Sequence, residues 1–331
     1  MNPRKRNIWI LGGTGFIGTA LVKQLSTDSR NLLHLLAHKS TPWRLLENFN
    51  VFTGNLADFD ISWLRKYPPD ILFHLARLAG SNNITRYLAS KTGKKANQRL
   101  LLSLSEMQIP PVIIYVSGSL MFGPQPGETQ ANEKTKLSPV SYARYYFEGE
   151  KPILEAQQFG LLDIRFARPG WIVGTGSWFL FFFWDYFLKT GKIPLIGSGR
   201  QMMSLVHIDD CAGQIISLAE NGTKGQDLNI FSSLPIPMQT FCEILAHILN
   251  TGINRISSTA FRSRYGKTAA EAFESSIPLS TCYPELAGRY QNKYGNPESI
   301  LLSVIAELEH KQDILAETPE EGPVKQQISF P

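Results

Sequence analysis

The feature that most constrains the fold is a glycine motif near the start of the chain, within the stretch NIWILGGTGFIGTALVKQL. Gly12, Gly15 and Gly18 directly follow an apolar run and precede a segment with helical spacing. The spacing allows a tight turn at Gly12, backbone contact with a pyrophosphate at Gly15, and close packing of a helix on a sheet at Gly18. The helix N-terminus then stabilises phosphate charge. The motif therefore predicts a dinucleotide-binding strand–turn–helix unit.

The rest of the first half alternates short apolar runs with longer amphipathic stretches. Apolar strands separated by helices predict a parallel sheet covered on both faces, which is a doubly wound α/β fold of the Rossmann type. We predict strands at residues 8–11, 32–37, 50–53, 71–75, 112–116 and 162–167. We predict helices at residues 18–25, 84–106 and 142–159. The ligand of such a sheet is expected at the carboxyl ends of the strands.

The organisation of the chain changes after the sixth predicted strand, where aromatic residues and glycines become dense. We predict a dinucleotide-binding Rossmann domain from residues 7–171 and 204–231. A smaller, mostly helical substrate-binding lobe is expected from residues 172–203 and 232–317. Residues 318–331 are rich in Glu, Gln and Pro, and we predict that they form a flexible tail.

Charge, hydropathy and cysteine usage argue against several classes of protein. The formal net charge is +5, but no basic stripe with interleaved aromatics follows, so nucleic-acid binding is not expected. The longest apolar run, Trp178–Leu188, is interrupted by Asp185 and is shorter than the roughly 20 residues that span a bilayer. No signal peptide is expected before the first strand. Cys211, Cys242 and Cys282 lack metal-ligand spacing, so we expect reduced thiols, no metal site and a cytoplasmic protein.

The glycine spacing and the sequence around it resemble the extended short-chain dehydrogenase/reductase family, which contains sugar-nucleotide epimerases and dehydratases. The resemblance covers about residues 8–235. GNLAD at residues 54–58 resembles the family's adenine-contacting segment, and DILFHLARLAG at 70–80 resembles the fourth-strand motif that borders the cofactor. RPGWIVG at 168–174 resembles the segment that passes the nicotinamide, and SLVHIDDCA at 204–212 resembles the return to the nucleotide domain. The resemblance implies a Rossmann-type fold and a nicotinamide cofactor.

The resemblance also implies a set of cofactor-binding residues. Asn55 stands where the family usually has Asp, and its amide oxygen is able to accept a hydrogen bond from an adenine amino group. His38 and Lys39 stand at the end of the second strand, where a carboxylate would bind the ribose 2′-hydroxyl and repel a 2′-phosphate. NADP(H) is therefore favoured over NAD(H), unless these two residues have no role. The implied contacts are Gly12, Thr14, Gly15, Phe16, Ile17, Gly18, His38, Lys39, Asn55, Leu56, Leu75, Ala76, Arg77, Tyr142, Tyr146 and Pro169.

The catalytic positions depart from the family's pattern, which is a Ser or Thr after the fifth strand and a Tyr and Lys spaced YxxxK on a helix. The stretch SYARYYFEGEK keeps the tyrosine as Tyr142 but has Tyr146 at the lysine position. The stretch VSGSLMFGP puts Gly118 at the hydroxyl position, flanked by Ser117 and Ser119. Side chains alternate along an extended segment, so both serines point away from that position unless the loop re-aims Ser119. The candidate catalytic residues are Tyr142, Tyr146, Ser119 and Ser117.

The missing lysine decides which chemistry the helix favours. A free tyrosine has a pKa of about 10, so only about one molecule in a thousand is phenolate at pH 7. Tyr142 is therefore a poor base for alcohol oxidation, but it remains an acid for a developing alkoxide. We predict an atypical NADP(H)-dependent oxidoreductase that favours reduction, with Tyr146 as a ribose or substrate contact and Ser119 as an oxyanion partner. The alternatives are a non-redox isomerase, cyclase or lyase on the same fold, and a catalytically silent NADP(H)-binding or regulatory protein.

A dense aromatic run occupies the region that builds the substrate site in extended members of the family. It lies within residues 178–187, and Asp185 is the acidic residue inside it. Such a run lines a pocket, forms a subunit contact or packs in a core. We predict an apolar or aromatic small-molecule substrate of a biosynthetic reaction. A homodimer through the helices at 84–106 and 142–159 is implied by the resemblance alone.

Overall fold

The structure of the protein, a computed structural model, describes residues 4–38 and 49–317. The strands of this part are β1 (Arg6–Leu11), β2 (Asn31–Ala37), β3 (Asn50–Thr53), β4 (Ile71–His74), β5 (Val112–Val116), β6 (Asp163–Pro169), β7 (Trp171–Val173), β8 (Lys192–Ile196), β9 (Met202–Met203), β10 (Leu205–His207), β11 (Leu228–Ile230), β12 (Ile236–Pro237) and β13 (Gly252–Ile256). The α-helices are α1 (Phe16–Leu25), α2 (Ser62–Lys66), α3 (Asn83–Ser105), α4 (Ala143–Gln158), α5 (Asp185–Thr190), α6 (Ile208–Asn221), α7 (Met238–Ile248), α8 (Ser258–Glu274), α9 (Pro284–Ala287) and α10 (Pro297–Glu317). A 3-10 turn at Ser119–Met121 lies before α4, and a π-helical turn at Leu180–Trp184 leads into α5.

Seven strands form one parallel sheet in the order β3-β2-β1-β4-β5-β6-β11. The chain builds outward from β1 through β2 to β3 and then returns to β4 on the other side of β1. The loops after β1 and β4 therefore diverge and leave a crevice at the carboxyl edge of the sheet, where ligands of such folds bind. This topology confirms the predicted Rossmann-type, doubly wound α/β fold.

The side chains of β1 show how the sheet is covered on both faces. Ile8 and Ile10 pack with residues of α1 and α6, whereas Trp9 and Leu11 pack with residues of α3 and α4. All four are completely buried, and burial of one such side chain is worth about 1.5–3 kcal/mol. The apolar run of β1 is thus explained by helices on each side of the sheet.

A second core fills the C-terminal lobe and contains most of the aromatic run. Phe179, Phe182, Phe183 and Trp184 are at most 3% exposed, and they pack with residues of β8, α7, α8 and α10. The ring of Phe183 lies 5.2 Å from that of Phe241, centroid to centroid. Of the three possibilities left open for the run, namely a pocket lining, a subunit contact and core packing, these contacts support core packing for most of its rings.

The structure leaves several other predictions untested. The limits of the two lobes, at residues 171–172, 203–204 and 231–232, stay predictions. The predicted flexible tail and Lys39 lie outside the described residues.

Among the described helices, none combines the length and the hydrophobicity that crossing a bilayer requires. Within residues 4–38 and 49–317, no group of three or more His, Cys, Asp or Glu side chains is arranged to hold a metal ion.

Candidate functional site

The glycine loop joins β1 to α1 at the carboxyl edge of the sheet. Gly12 has a φ of +93°, a left-handed conformation that glycine adopts without strain. A Cβ on Gly18 would lie 2.2 Å from the carbonyl oxygen of Gly12, so only glycine lets α1 approach the loop this closely. Gly15 is the N-cap of α1, and its N–H donates to the Gly12 carbonyl at 3.0 Å. The result is a cradle of bare backbone at a helix N-terminus, and it fits a pyrophosphate.

The ends of β2 and β4 lie on either side of this cradle. A Cβ on Gly12 would lie 3.1 Å from the backbone nitrogen of Ala76, which follows Leu75 at the end of β4. On the other side, the His38 N–H lies 3.5 Å from the hydroxyl oxygen of Thr14. The structure therefore brings these predicted cofactor residues together from three neighbouring strands.

The first turn of α1 packs under the segment that follows β7. A Cβ on Gly174 would lie 2.9 Å from the ring of Phe16, so the two segments touch closely. Phe16 and Ile17 also pack on the core of the adjacent sheet face. Pro169 ends β6 and pairs with Ile230 of β11. Phe16 and Ile17 thus have a packing role that the motif alone did not indicate.

Asn55 organises its own turn. Its Oδ1 accepts hydrogen bonds from the N–H groups of Ala57 at 2.8 Å and Asp58 at 3.3 Å, and its Nδ2 donates to the Asp58 carboxylate at 2.6 Å. Both lone pairs of Oδ1 are engaged in the turn, and the hydrogen bond from an adenine amino group to Asn55 stays a prediction. Leu56 is 4% exposed and belongs to the core on the α3–α4 face.

A buried hydrogen-bond chain ties β4 to α3 and α4 beneath the site. Asn97 donates from Nδ2 to the carbonyl of Gly149 at 2.8 Å, and its Oδ1 lies 2.8 Å from Nε2 of His74. Burial lowers the pKa of His74 to about 4. The imidazole is therefore neutral near pH 7, and Nε2 donates to Asn97, since the Asn97 oxygen is an acceptor only.

We expect His74 to make the fold sensitive to mild acid. Its pKa is about 4 in the folded state against 6.5 when unperturbed, so the unfolded chain binds the proton first as the pH falls. The contribution of the neutral His74 to the free energy of unfolding is fully present above pH 6.5 and is lost progressively towards pH 4. For this one group, the free energy of unfolding is expected to fall by about 2 kcal/mol between pH 7 and pH 5. Urea unfolding at pH 7 and pH 5 measures the loss. The His74→Gln variant, which keeps a donor but does not titrate, should lose correspondingly less stability; an equal loss in both proteins would contradict the assignment.

Ser117 lies in the interior and not at a reacting group. Its hydroxyl donates to Oε2 of Glu150 at 2.8 Å, and the two residues are 3% and 1% exposed. Burial raises the pKa of Glu150. The hydroxyl of Ser117 thus links the end of β5 to α4 through an internal carboxyl group, and its catalytic role stays a prediction.

Gly118 leaves space at the position where the resembled family has its catalytic hydroxyl. Its φ is −176°, extended backbone that any residue adopts. Apart from its chain neighbours, no described atom lies within 4 Å of a Cβ built on Gly118. Ser119 follows at the start of the 3-10 turn and is 8% exposed, and its role as an oxyanion partner stays a prediction. The missing hydroxyl is thus not imposed by strain or crowding.

Tyr142 is the N-cap of α4, and its hydroxyl is buried without a partner. The residue is 4% exposed, and the hydroxyl oxygen has no hydrogen-bond partner among the described residues. Leaving such a group unpaired costs about 1–3 kcal/mol. Tyr146 lies one turn further along the helix, with its ring edge-on to that of Tyr142 at 6.5 Å between centroids. Burial raises the pKa of Tyr142, while the charges of Arg77 and Arg86 act in the opposite direction.

A cleft of 640 Å³ lies beside the start of α3, and the motifs did not indicate it. The loop after β4 and the start of α3 form one wall, and the middle of α8 forms the other. Gly266, with a φ of +86°, interrupts α8 at this point. Arg86 and Lys267 contribute cationic side chains, and Asn82 and Thr268 contribute neutral polar ones. The one signal in the sequence for this cleft is Gly266, because a glycine inside an otherwise helical segment is typical of a kink with a structural or functional cause.

Comparisons with known proteins agree with this geometry. The model of the NAD dependent epimerase/dehydratase family matches residues 8–230. The chain is 32% identical over 280 residues to the uncharacterized protein y4nG of Sinorhizobium fredii, covering 83% of this chain and 67% of that protein. Its structure is similar to human epimerase family protein SDR39U1 with NADPH, at 18% identity and a TM-score of 0.71 over 91% of this chain and 99% of that one. It is also similar to dTDP-glucose 4,6-dehydratase from Bacillus anthracis in complex with NAD, at 15% identity and a TM-score of 0.73 over 93% and 98%.

Proposed function

The chain belongs to the NAD dependent epimerase/dehydratase family, and we propose that it is an NADP(H)-dependent oxidoreductase that reduces a carbonyl group of a small molecule. The observation that carries this proposal is the buried hydroxyl of Tyr142, which has no hydrogen-bond partner among the described residues. A substrate oxygen would supply that partner. The helix that bears Tyr142 is the one that the family uses for catalysis, which supports a chemical role over a packing role.

In this proposal, the glycine loop binds the coenzyme and Tyr142 donates a proton to the substrate. The hydride would come from a nicotinamide coenzyme bound on the glycine loop. The bare backbone at Gly12 and Gly15 would let a pyrophosphate approach the N-terminus of α1, whose first-turn N–H groups would bind it. Tyr142 donates its hydroxyl proton to the substrate oxygen as negative charge develops there. Since burial raises the pKa of Tyr142, the hydroxyl stays protonated near pH 7, so it can donate a proton but is not ionised to accept one, which favours reduction over oxidation.

We propose that the substrate is polar and binds in the cleft between α3 and α8. The apolar or aromatic substrate expected from the aromatic run loses its support, because that run fills the core of the C-terminal lobe. The cleft has cationic side chains from Arg86 and Lys267 on opposite walls. These charges suit a substrate with anionic or strongly polar groups.

The direct test is consumption of NADPH, followed by its absorbance, with a set of aldehydes, ketones and keto sugars with and without a nucleotide. We expect turnover with polar carbonyl compounds and saturation by NADPH. A protein that does not bind NADPH or NADH would contradict the proposal. Turnover confined to apolar ketones would contradict the assignment of the cleft.

A second candidate function is a coenzyme-binding regulatory protein without turnover. Two departures from the family's pattern favour it, namely the lack of a hydroxyl at Gly118 and the lack of a lysine at Tyr146. Such a protein would bind NADPH with no effect of Tyr142 on any reaction. A non-redox isomerase, cyclase or lyase would convert its substrate without net consumption of NADPH, so product analysis separates it from a reductase.

The preference for NADP(H) gives a specific prediction at the end of β2. We propose that Lys39, with His38, binds the 2′-phosphate of NADPH. Lys39→Glu removes a cation and adds a repelling charge, so NADPH affinity is expected to fall about ten- to hundredfold while NADH affinity stays similar or rises. Fluorescence titration with each coenzyme measures the ratio, and Lys224→Glu, an exposed charge change elsewhere, is the matched control. An equal loss of both coenzymes in Lys39→Glu would contradict the role of Lys39.

We also propose that the protein is a homodimer and that it is located in the cytoplasm. A homodimer through α3 and α4 is supported by apolar side chains that α3 exposes, namely Tyr87, Leu88 and Leu102. The three cysteines are unpaired, which agrees with a reducing compartment such as the cytoplasm. Sedimentation at low micromolar concentration tests the dimer.

A further inference from the structure

A cation lies beside the position from which the family's lysine is missing. Tyr146 occupies the lysine position on α4. The central carbon of the Arg77 guanidinium lies 5.8 Å from the centroid of the Tyr146 ring, within the range of a cation–π contact. Arg77 belongs to the segment that follows β4, so its charge enters the site from the sheet and not from the helix.

The guanidinium is held in place from two sides. Its Nη2 donates to the carbonyl oxygen of Val116, the last residue of β5, at 3.0 Å. The Tyr146 ring supports it from α4, and the side chain is half-buried. A guanidinium has several N–H donors in a rigid fork, and the Val116 carbonyl accepts from one of them. The fork therefore has further donors for another acceptor beside the carboxyl end of β5.

The positive charge of Arg77 is not neutralised by an ion pair with a described residue. Among the described residues, no Asp or Glu forms an ion pair with it. The buried carboxyl group of Glu150 feels the charge of Arg77, but burial raises the pKa of Glu150 and its Oε2 is bonded to Ser117. The charge of Arg77 also reaches Tyr142, where it favours the phenolate. In the resembled family the lysine binds the nicotinamide ribose and lowers the pKa of the tyrosine, and the charge of Arg77 acts on Tyr142 in the second of these directions.

We propose that Arg77 replaces the missing lysine, with its guanidinium binding the ribose on the nicotinamide side of the coenzyme and holding positive charge beside Tyr142. The inference rests on the proposed function, since it requires a coenzyme on the glycine loop. Tyr146 is then the aromatic support of the cation and not a substitute for lysine. The exchange moves the charge from α4 to the end of β4 and keeps it in the same site.

The test compares a ligand that has the nicotinamide ribose with one that lacks it. NADPH and adenosine 2′,5′-bisphosphate are titrated into the wild-type protein and into Arg77→Gln, with NADH and ADP in parallel so that coenzyme preference does not decide the outcome. NADPH affinity is expected to fall about ten- to hundredfold, because a hydrogen-bonded charge is lost. The affinity for adenosine 2′,5′-bisphosphate is expected to stay the same. Thermal unfolding of the proteins without ligand reports whether each variant is folded. Arg77→Met is the second variant, because it removes the charge and keeps an apolar stem on the Tyr146 ring.

A rescue experiment separates this role from a merely structural one. Adding Tyr146→Lys to Arg77→Gln returns a cation to the helix position, and most of the NADPH affinity is expected to return. Tyr145→Lys in the same background is the control, since residue 145 lies on a different face of α4. Equal losses for both ligands, no loss for either, or no rescue by Tyr146→Lys would each overturn the role of Arg77. A wild-type protein that binds neither NADPH nor NADH would instead overturn the proposed function itself.

Discussion

Replacing Tyr142 with phenylalanine is expected to lower turnover about a hundred- to ten-thousandfold, which is the usual contribution of a general acid. NADPH affinity is expected to stay unchanged, because the pyrophosphate cradle lies on the glycine loop. Since the Tyr142 hydroxyl is buried without a partner among the described residues, its removal breaks no internal hydrogen bond. The free energy of unfolding is therefore expected to stay the same or to rise by about 1 kcal/mol. NADPH oxidation, fluorescence titration and urea unfolding measure the three quantities.

The combination of lost turnover with unchanged stability is what distinguishes a reacting hydroxyl from a packed ring. Tyr145 is half-buried and lies next to Tyr146 on the same helix. Tyr145→Phe is therefore the matched control, and this variant should keep its activity. Wild-type turnover in Tyr142→Phe would contradict the role of proton donor. A clear loss of stability in Tyr142→Phe would show that the hydroxyl has a structural partner.

Gly18→Ala is expected to abolish detectable NADPH binding and to destabilise the fold by about 1–3 kcal/mol, the usual cost of overpacking. The added Cβ would lie 2.2 Å from the carbonyl oxygen of Gly12 and 2.8 Å from the Cα of Gly13. Both atoms are backbone, so relief requires α1 to move away from the loop. That movement carries the helix N-terminus away from the pyrophosphate cradle. Titration with NADPH and urea unfolding report the two effects.

Gly295→Ala is the matched control for this substitution. Gly295 is exposed, and apart from its chain neighbours no described atom lies within 4 Å of a Cβ built on it. The control should keep both its NADPH affinity and its stability. Normal NADPH binding by Gly18→Ala would show that the loop tolerates a side chain and is not the pyrophosphate site.

The sequence predicts the nucleotide half of the molecule well, because local patterns determine it. The strand predicted at residues 112–116 is β5 (Val112–Val116), and the helix predicted at 84–106 is α3 (Asn83–Ser105) to within one residue at each end. Apolar runs identify buried parallel strands, and the glycine spacing requires a tight turn into a helix. These signals lie within a few residues of one another and do not depend on distant contacts.

The site and the C-terminal lobe are less predictable, because they depend on which segments meet in three dimensions. The sequence left open whether the aromatic run lines a pocket, forms a subunit contact or packs in a core, and packing against α7, α8 and α10 places most of its rings in a core. The hydroxyl of Ser117 is directed to Glu150 by a contact between β5 and α4. The resemblance implied Arg77 as a cofactor contact, but the contact of its guanidinium with the Tyr146 ring depends on how the segment after β4 and α4 pack together.

The substitution of the family's lysine therefore has a different meaning in three dimensions. Read along α4, Tyr146 is the loss of a cation. Read across the site, an arginine from the end of β4 lies over that tyrosine ring. A lost residue in a motif does not by itself remove the charge that the motif supplied.

The crystal structure of the protein with NADPH is the measurement that tests the central claim most directly. We expect the pyrophosphate at the backbone of Gly12 and Gly15, and the nicotinamide half of the coenzyme on the side of Tyr142 and Arg77. Saturating NADPH that leaves the glycine loop empty, or a nicotinamide directed away from Tyr142, would contradict the account.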